Sequence, residues 1–136
     1  MSAEKIIYNL LKSHTPLTAV VPAIRIYPSL IPLGTALPAI AYSLISSVEL
    51  TGASLQTLQV KSRIQITVAV KGVNTISYAL SKSIIKLVTD ACNHKQGTFN
   101  GIKTNSVIRD TESPDFRDDE SEITYNSIDF RVSYQE

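Results

Sequence analysis

Few side chains in this chain of 136 residues could do chemistry: two histidines, His14 and His94, one cysteine, Cys92, and the acidic run Asp118-Asp119-Glu120. His94 ends a helical stretch, where an imidazolium suits the negative helix terminus better than it suits general-base work. His14 precedes Thr15-Pro16, a helix-cap pattern. Cys92 follows Ala91 beside an apolar stripe and reads as a small core residue rather than a nucleophile. Alone it can form neither an internal disulfide nor a zinc site, and it fits a reducing cytoplasm. The acidic run could recruit a hard cation, but the calcium-loop spacing with its central glycine is missing. Lys61, Arg63 and Lys71 share one face of a strand, yet without the aromatics that an RNA-reading sheet face needs. There is no G-x-G-x-x-G, no G-x-x-x-x-G-K-[ST], no H-E-x-x-H and no nucleophile elbow. No catalytic, cofactor or metal site is expected, and the chain is read as a non-enzyme.

The element that must position everything else is TLQVKSRIQITVAVK, Thr57–Lys71. Its even positions are Leu58, Val60, Ser62, Ile64, Ile66, Val68 and Val70. No odd position is more apolar than alanine. Alternate side chains of a strand face opposite ways, so this is one apolar and one wet face. On that reading Ile66→Asp is disruptive and Gln65→Asp is tolerated. Fifteen residues at about 3.3 Å each span about 50 Å, whereas a compact domain of this length is on the order of 37 Å across. Either one end overhangs the body, where an exposed strand invites a partner, or a bulge near Ser62 folds the strand in two.

The other elements follow in order. Ser2 can cap a helix whose stripe is Ala3, Ile6, Ile7, Leu10 and Leu11, and Thr15-Pro16 opens a further helical turn. Residues 23–27 form a short strand stopped by Pro28, and 29–38 form a proline loop. A second strand over 39–50 turns through 51–54 into the long strand, giving an extended hairpin over about 39–71. Asn74 or Thr75 caps the main helix, with Ile76, Leu80, Ile84, Leu87, Val88 and Ala91 as its buried stripe. A turn over 97–101 leads to a strand over 102–110, an acidic loop over 111–122 and a closing strand over 123–134. The expected fold is α+β: a mixed, mainly antiparallel sheet of about four to five strands packed against two α-helices, in one domain over 1–136.

Composition narrows the partners. Net charge is only +1, and 43% of residues are hydrophobic, so no global pull toward nucleic acid or membrane exists. Residues 26–48 are uncharged and long enough to span a bilayer. Pro28, Pro32, Gly34 and Pro38 break them, which excludes a spanning helix. No secretory signal is visible at the start of the chain. The charge is segregated, +7 over residues 1–103 and −6 over 104–136, so copies can pair head to tail.

Several separated motifs together resemble one family. They are R-I-Y-P at 25–28, G-x-x-L-P-x-I-x-Y at 34–42, R-x-Q-I-x-V at 63–68 and I-D-F-R-V-S-Y at 128–134. In this order and spacing, with a helix before and another between, the chain resembles the tail-completion (tail-terminator) proteins of bacteriophages and prophages. Ser133 departs from the pattern, which favours a bulky aromatic there. The resemblance implies an α+β subunit, assembled in the host cytoplasm, that forms a ring of six on the head-proximal end of the virion tail. It would stop tube growth and meet the head-tail connector, with DNA passing through unbound and no cofactor. Gln59, Lys61 and Arg63 are the candidate subunit contact. Asp118, Asp119 and Glu120 are candidates for the lumen or a ring contact, against the plain reading of a solvated loop. A head-closure adaptor of the same virion, and a small enzyme with a pocket at the proline loop, are the alternatives.

Overall fold

A computed structural model describes residues 2–32, 34–55, 57–72 and 74–135. The expected Ser2 cap and the place of Leu58 in the apolar face lie outside the described residues. Helix α1 (Ser2–Ser13) leads through one turn of α2 (Thr15–Thr18) and a 3-10 turn (Ala23–Arg25) to β1 (Ile26–Pro28). Strands β2 (Ala39–Thr51) and β3 (Thr57–Lys71) precede α3 (Thr75–Cys92). The chain ends with β4 (Lys95–Phe99), β5 (Ile102–Glu112), β6 (Phe116–Asp118) and β7 (Ile123–Tyr134). The spatial order is β1-β2-β3-β7-β5-β4, with β6 also paired to β7. All pairs are antiparallel except β1 with β2.

The α+β class agrees with the sequence, but the described residues form seven strands and three α-helices rather than four to five and two. The short strand expected over 23–27 is a 3-10 turn at Ala23–Arg25 followed by β1 at Ile26–Pro28. The additional strands are β4 and β6, and β6 has only three residues, too few for alternation to register. β4 follows from the turn Asn100-Gly101, where both residues have positive φ (52° and 77°). That is the geometry of a two-residue hairpin turn, for which Asn-Gly is the favoured pair.

The long strand pairs with β2 from Thr57 to Ala69 and with β7 from Val60 to Lys71. No register shift occurs at Ser62; the two lie between Leu50 and Thr51, near the hairpin end, and in β2, where Leu44 pairs with Ile64 and Ser46 with Arg63, leaving Ile45 as a bulge. Beyond it Ser47, not Ser46, shares the face of Ser62, and their hydroxyls lie 3.1 Å apart. Val60, Ser62, Ile64, Ile66, Val68 and Val70 are all buried, as alternation demands. They meet the α1 stripe Ala3, Ile6, Ile7, Leu10 and Leu11, and Ile84, Val88 and Ala91 of α3, in one core.

One stripe needs correction. Ile76 is 81% exposed and Leu80 is also exposed, while Ser77 and Ser81 are buried in their places. Asn74 caps the helix by accepting from the Ser77 backbone N–H at 2.9 Å, and the Ser77 hydroxyl donates to the Lys71 carbonyl at 2.9 Å. The β7 strand beneath this half carries buried Thr124 and Asn126, and the Asn126 amide donates to the Ser81 hydroxyl. Polar groups removed from water need partners, so the serine side turns inward and the isoleucine side faces solvent.

Candidate functional site

The wet face of β3 lines a groove of about 770 Å³ on the side of the sheet opposite the helices. Its floor is built by register. Arg63 lies directly opposite Arg131 on β7, and Lys61 lies between Val48 on β2 and Ser133 on β7. Two guanidinium groups directly across a strand pair repel, so this arrangement needs intervening carboxylates. Asp129 supplies one. Its Oδ2 accepts from Arg63 Nε at 2.8 Å and lies 2.6 Å from Arg63 Nη2. Asp110 supplies the other, accepting from Arg131 Nε at 3.0 Å and Nη2 at 2.7 Å, with Arg63 Nε 3.4 Å away.

Asp110 reaches this position because β5 loses its regular register between Arg109 and Glu112. An irregular strand segment re-aims side chains that alternation would send elsewhere, and Arg109 and Asp110 consequently both line the groove. The hydrogen bonds from Arg131 hold the Asp110 carboxyl below the usual aspartate range, aided by the charges of Arg131 and Arg63. Asp129 is buried, and its Oδ1 has no hydrogen-bond partner among the described residues. Gln65, opposite Asp129 in register, is half-buried. Gln65→Asp, expected from alternation to leave the fold intact, therefore sets two carboxylates face to face.

The three expected contact residues share this face. Gln59 donates to the Ser133 hydroxyl across the β3–β7 pair. Lys61 is exposed, whereas Arg63 is committed to its carboxylates. The acidic trio lies far off. Asp118 ends β6 and its Oδ1 accepts from the backbone N–H of Glu120 at 3.2 Å, while Asp119 and Glu120 are exposed. The hydroxyl and backbone of Ser121 lower the Asp118 carboxyl. Lys82 on α3 donates to Asp115 at 2.7 Å and lies 3.7 Å from Glu112, pinning the base of the loop; the Asp115 bond pushes the ammonium up. The structure does not bring the two expected sets together within one chain. Sequence reasoning missed Asp110, Asp129 and Arg131, although the I-D-F-R alternation placed the latter two on the wet face.

The distal half of β2 is the second surface. β1 covers the outer edge of β2 only at Ile40, Ala41 and Tyr42. Beyond them Ile45, Val48 and Leu50 are exposed, Val48 by 66% and Leu50 by 54%. Cys92 is fully buried and its burial pushes the thiol up, so it stays protonated. Among the described residues no three His, Cys, Asp or Glu side chains converge as metal ligands, and no helix is long and apolar enough to cross a membrane.

No family model and no curated protein matches the chain. Solved structures do share its fold. A chain from the virion of a native gene transfer agent particle superposes with a TM-score of 0.70 at 14% identity, over 96% of this chain and 92% of that one. A second solved chain, without a descriptive name, gives 0.60 at 11% identity over 97% and 96%. The architecture is thus an α+β fold, near complete in both directions, that also occurs in a virion particle.

Proposed function

We propose that the protein is a structural subunit of a virion, forming a ring on the head-proximal end of a tail tube. There it ends tube polymerisation and presents the surface that joins the head. The observation that carries this reading is the full-length fold likeness to a virion chain, which agrees with the motif order that resembles tail-completion proteins. The open half of β2 and the charged groove suit a protein whose work is contact with copies of itself, with the tube and with the connector. No reaction is part of the proposal, and DNA passes through the ring without specific binding.

A nonsense mutation in the gene, within a virus that carries it, tests the role. The expected result is tubes of uncontrolled length beside filled heads without tails. Tails of normal length beside heads that leak DNA would replace this reading with a head-closure adaptor. Normal particles would overturn both.

A further inference from the structure

The groove and the acidic loop are complementary, and one chain cannot bring its own two together. The groove presents Lys61, Arg63, Arg109 and Arg131 against two carboxylates, Asp110 and Asp129. Lys61 and Arg109 are exposed and have no carboxylate partner among the described residues. At the other end of the sheet, Asp119, Glu120 and Glu122 are exposed and have no cationic partner among the described residues. β6 pairs with Ile123, Thr124 and Tyr125 of β7, whereas the groove meets β7 at Arg131, Val132 and Ser133. Eight residues of strand separate Ile123 from Arg131, about 27 Å. A loop anchored by β6 and by Lys82 cannot cross that distance.

We infer that the acidic turn 118–122 of one copy docks into the groove of the next. This rests on the ring-forming reading above and names its contact. Two complementary patches at opposite ends of a molecule make a head-to-tail contact, which closes into a ring when the rotation permits. Apolar groups accompany the charges on both sides. Exposed Phe116 precedes the acidic turn, and exposed Val48 and Ile108 line the groove. Asp110 among the cations disfavours a continuous phosphate backbone and favours a short peptide of mixed acidic and apolar character. An ionic contact of this kind weakens as salt rises.

Two reciprocal variants test the contact. One carries Asp119→Lys, Glu120→Lys and Glu122→Lys; the other carries Lys61→Glu and Arg109→Glu. All substituted positions are exposed, and unchanged circular dichroism verifies folding. Each variant alone should self-associate at least tenfold more weakly than the wild type in light scattering. A one-to-one mixture should regain association, because each loop then meets an opposite groove. Carbodiimide coupling of concentrated, mixed-isotope wild-type protein should join Lys61 to the acidic turn between copies. Unaltered association of both variants, or coupling confined to other sites, overturns the contact without touching the virion assignment. Loss of duplex-oligonucleotide binding in the groove variant, with association intact, would instead make the groove a nucleic-acid surface. Conversely, the contact could form in a protein whose nonsense mutation leaves particles normal, so the two readings fail separately.

Discussion

The two halves of β2 obey different rules although one strand contains both. From Ala39 to Tyr42 every residue is buried, on both faces, between β1 and β3 and beneath α1. From Leu44 onward every residue is exposed, although four of the seven residues from Leu44 to Leu50 are aliphatic. The Ile45 bulge marks the change, and past it Val48 and Leu50 turn to the groove side opposite the helices. A strand half that is buried twice stabilises the subunit. A strand half with a free edge and apolar groups in water stabilises only what it touches next.

The largest effect should come from the residues that pair with the buried half. Ile66 is fully buried, opposite Tyr42 on β2 and Ile128 on β7. Ile66→Asp places an unpaired carboxylate in the core and should cost several kcal/mol, about 3 or more. Urea denaturation should show an unfolded or severely weakened protein; a melt within 2 °C of the wild type would show that this half is not core. Asp129→Ala comes next. It leaves Arg63 opposite Arg131 with Asp110 alone between them, and should cost about 1–3 kcal/mol. Asp129→Asn should recover part of that loss, because the amide oxygen still accepts from Arg63.

The strands were legible in the sequence where both faces obey one rule. Thr57–Lys71 and Ile123–Tyr134 are legible to the residue because aliphatic or aromatic residues alternate with polar ones along most of their length. The extended hairpin is legible too, but of the two expectations for its length, an overhanging end or a bulge near Ser62, neither names Ile45, since nothing in S-L-I-S-S-V says which residue will drop out of pairing. In the first half of α3 the buried stripe is displaced by one residue from the one hydropathy predicts. Hydropathy favours Ile76 over Ser77, and only the polar floor of Thr124 and Asn126, distant in sequence, reverses that choice. Of the candidate site, Lys61 and Arg63 followed from alternation, whereas Asp110 depended on an irregularity in β5 that no periodicity reveals. The β4–β5 hairpin could have been found from Asn100-Gly101 alone.

A smaller effect links the groove to pH. Because Arg131 lowers the Asp110 carboxyl in the folded state, its contribution is fully present above the ordinary aspartate value of about 3.9. It is lost as pH falls through the depressed folded value. The stability gap between the wild type and Arg131→Gln should therefore be constant from pH 7 to 5 and narrow toward pH 3 in urea titrations. A gap that widens on acidification would mean that Asp110 is not the partner that matters.

The smallest effect on the subunit should come from the open half of β2, and there the comparison is sharpest. Val48 lies opposite Lys61 and Leu50 opposite Gln59, on the face away from the core. Both are more than half exposed. Replacing each by serine removes apolar area that water already reaches, so the isolated subunit should change by no more than about 0.5 kcal/mol. The same side chains, if covered by a neighbouring copy, would each lose up to about 1.5–3 kcal/mol of burial on assembly. Val48→Ser with Leu50→Ser should then leave the urea midpoint of dilute protein unchanged while lowering the mass seen by light scattering at high concentration. A midpoint shifted by more than about 1 kcal/mol, with association intact, would make this half of β2 a part of the subunit's own packing and erase the distinction between the two halves.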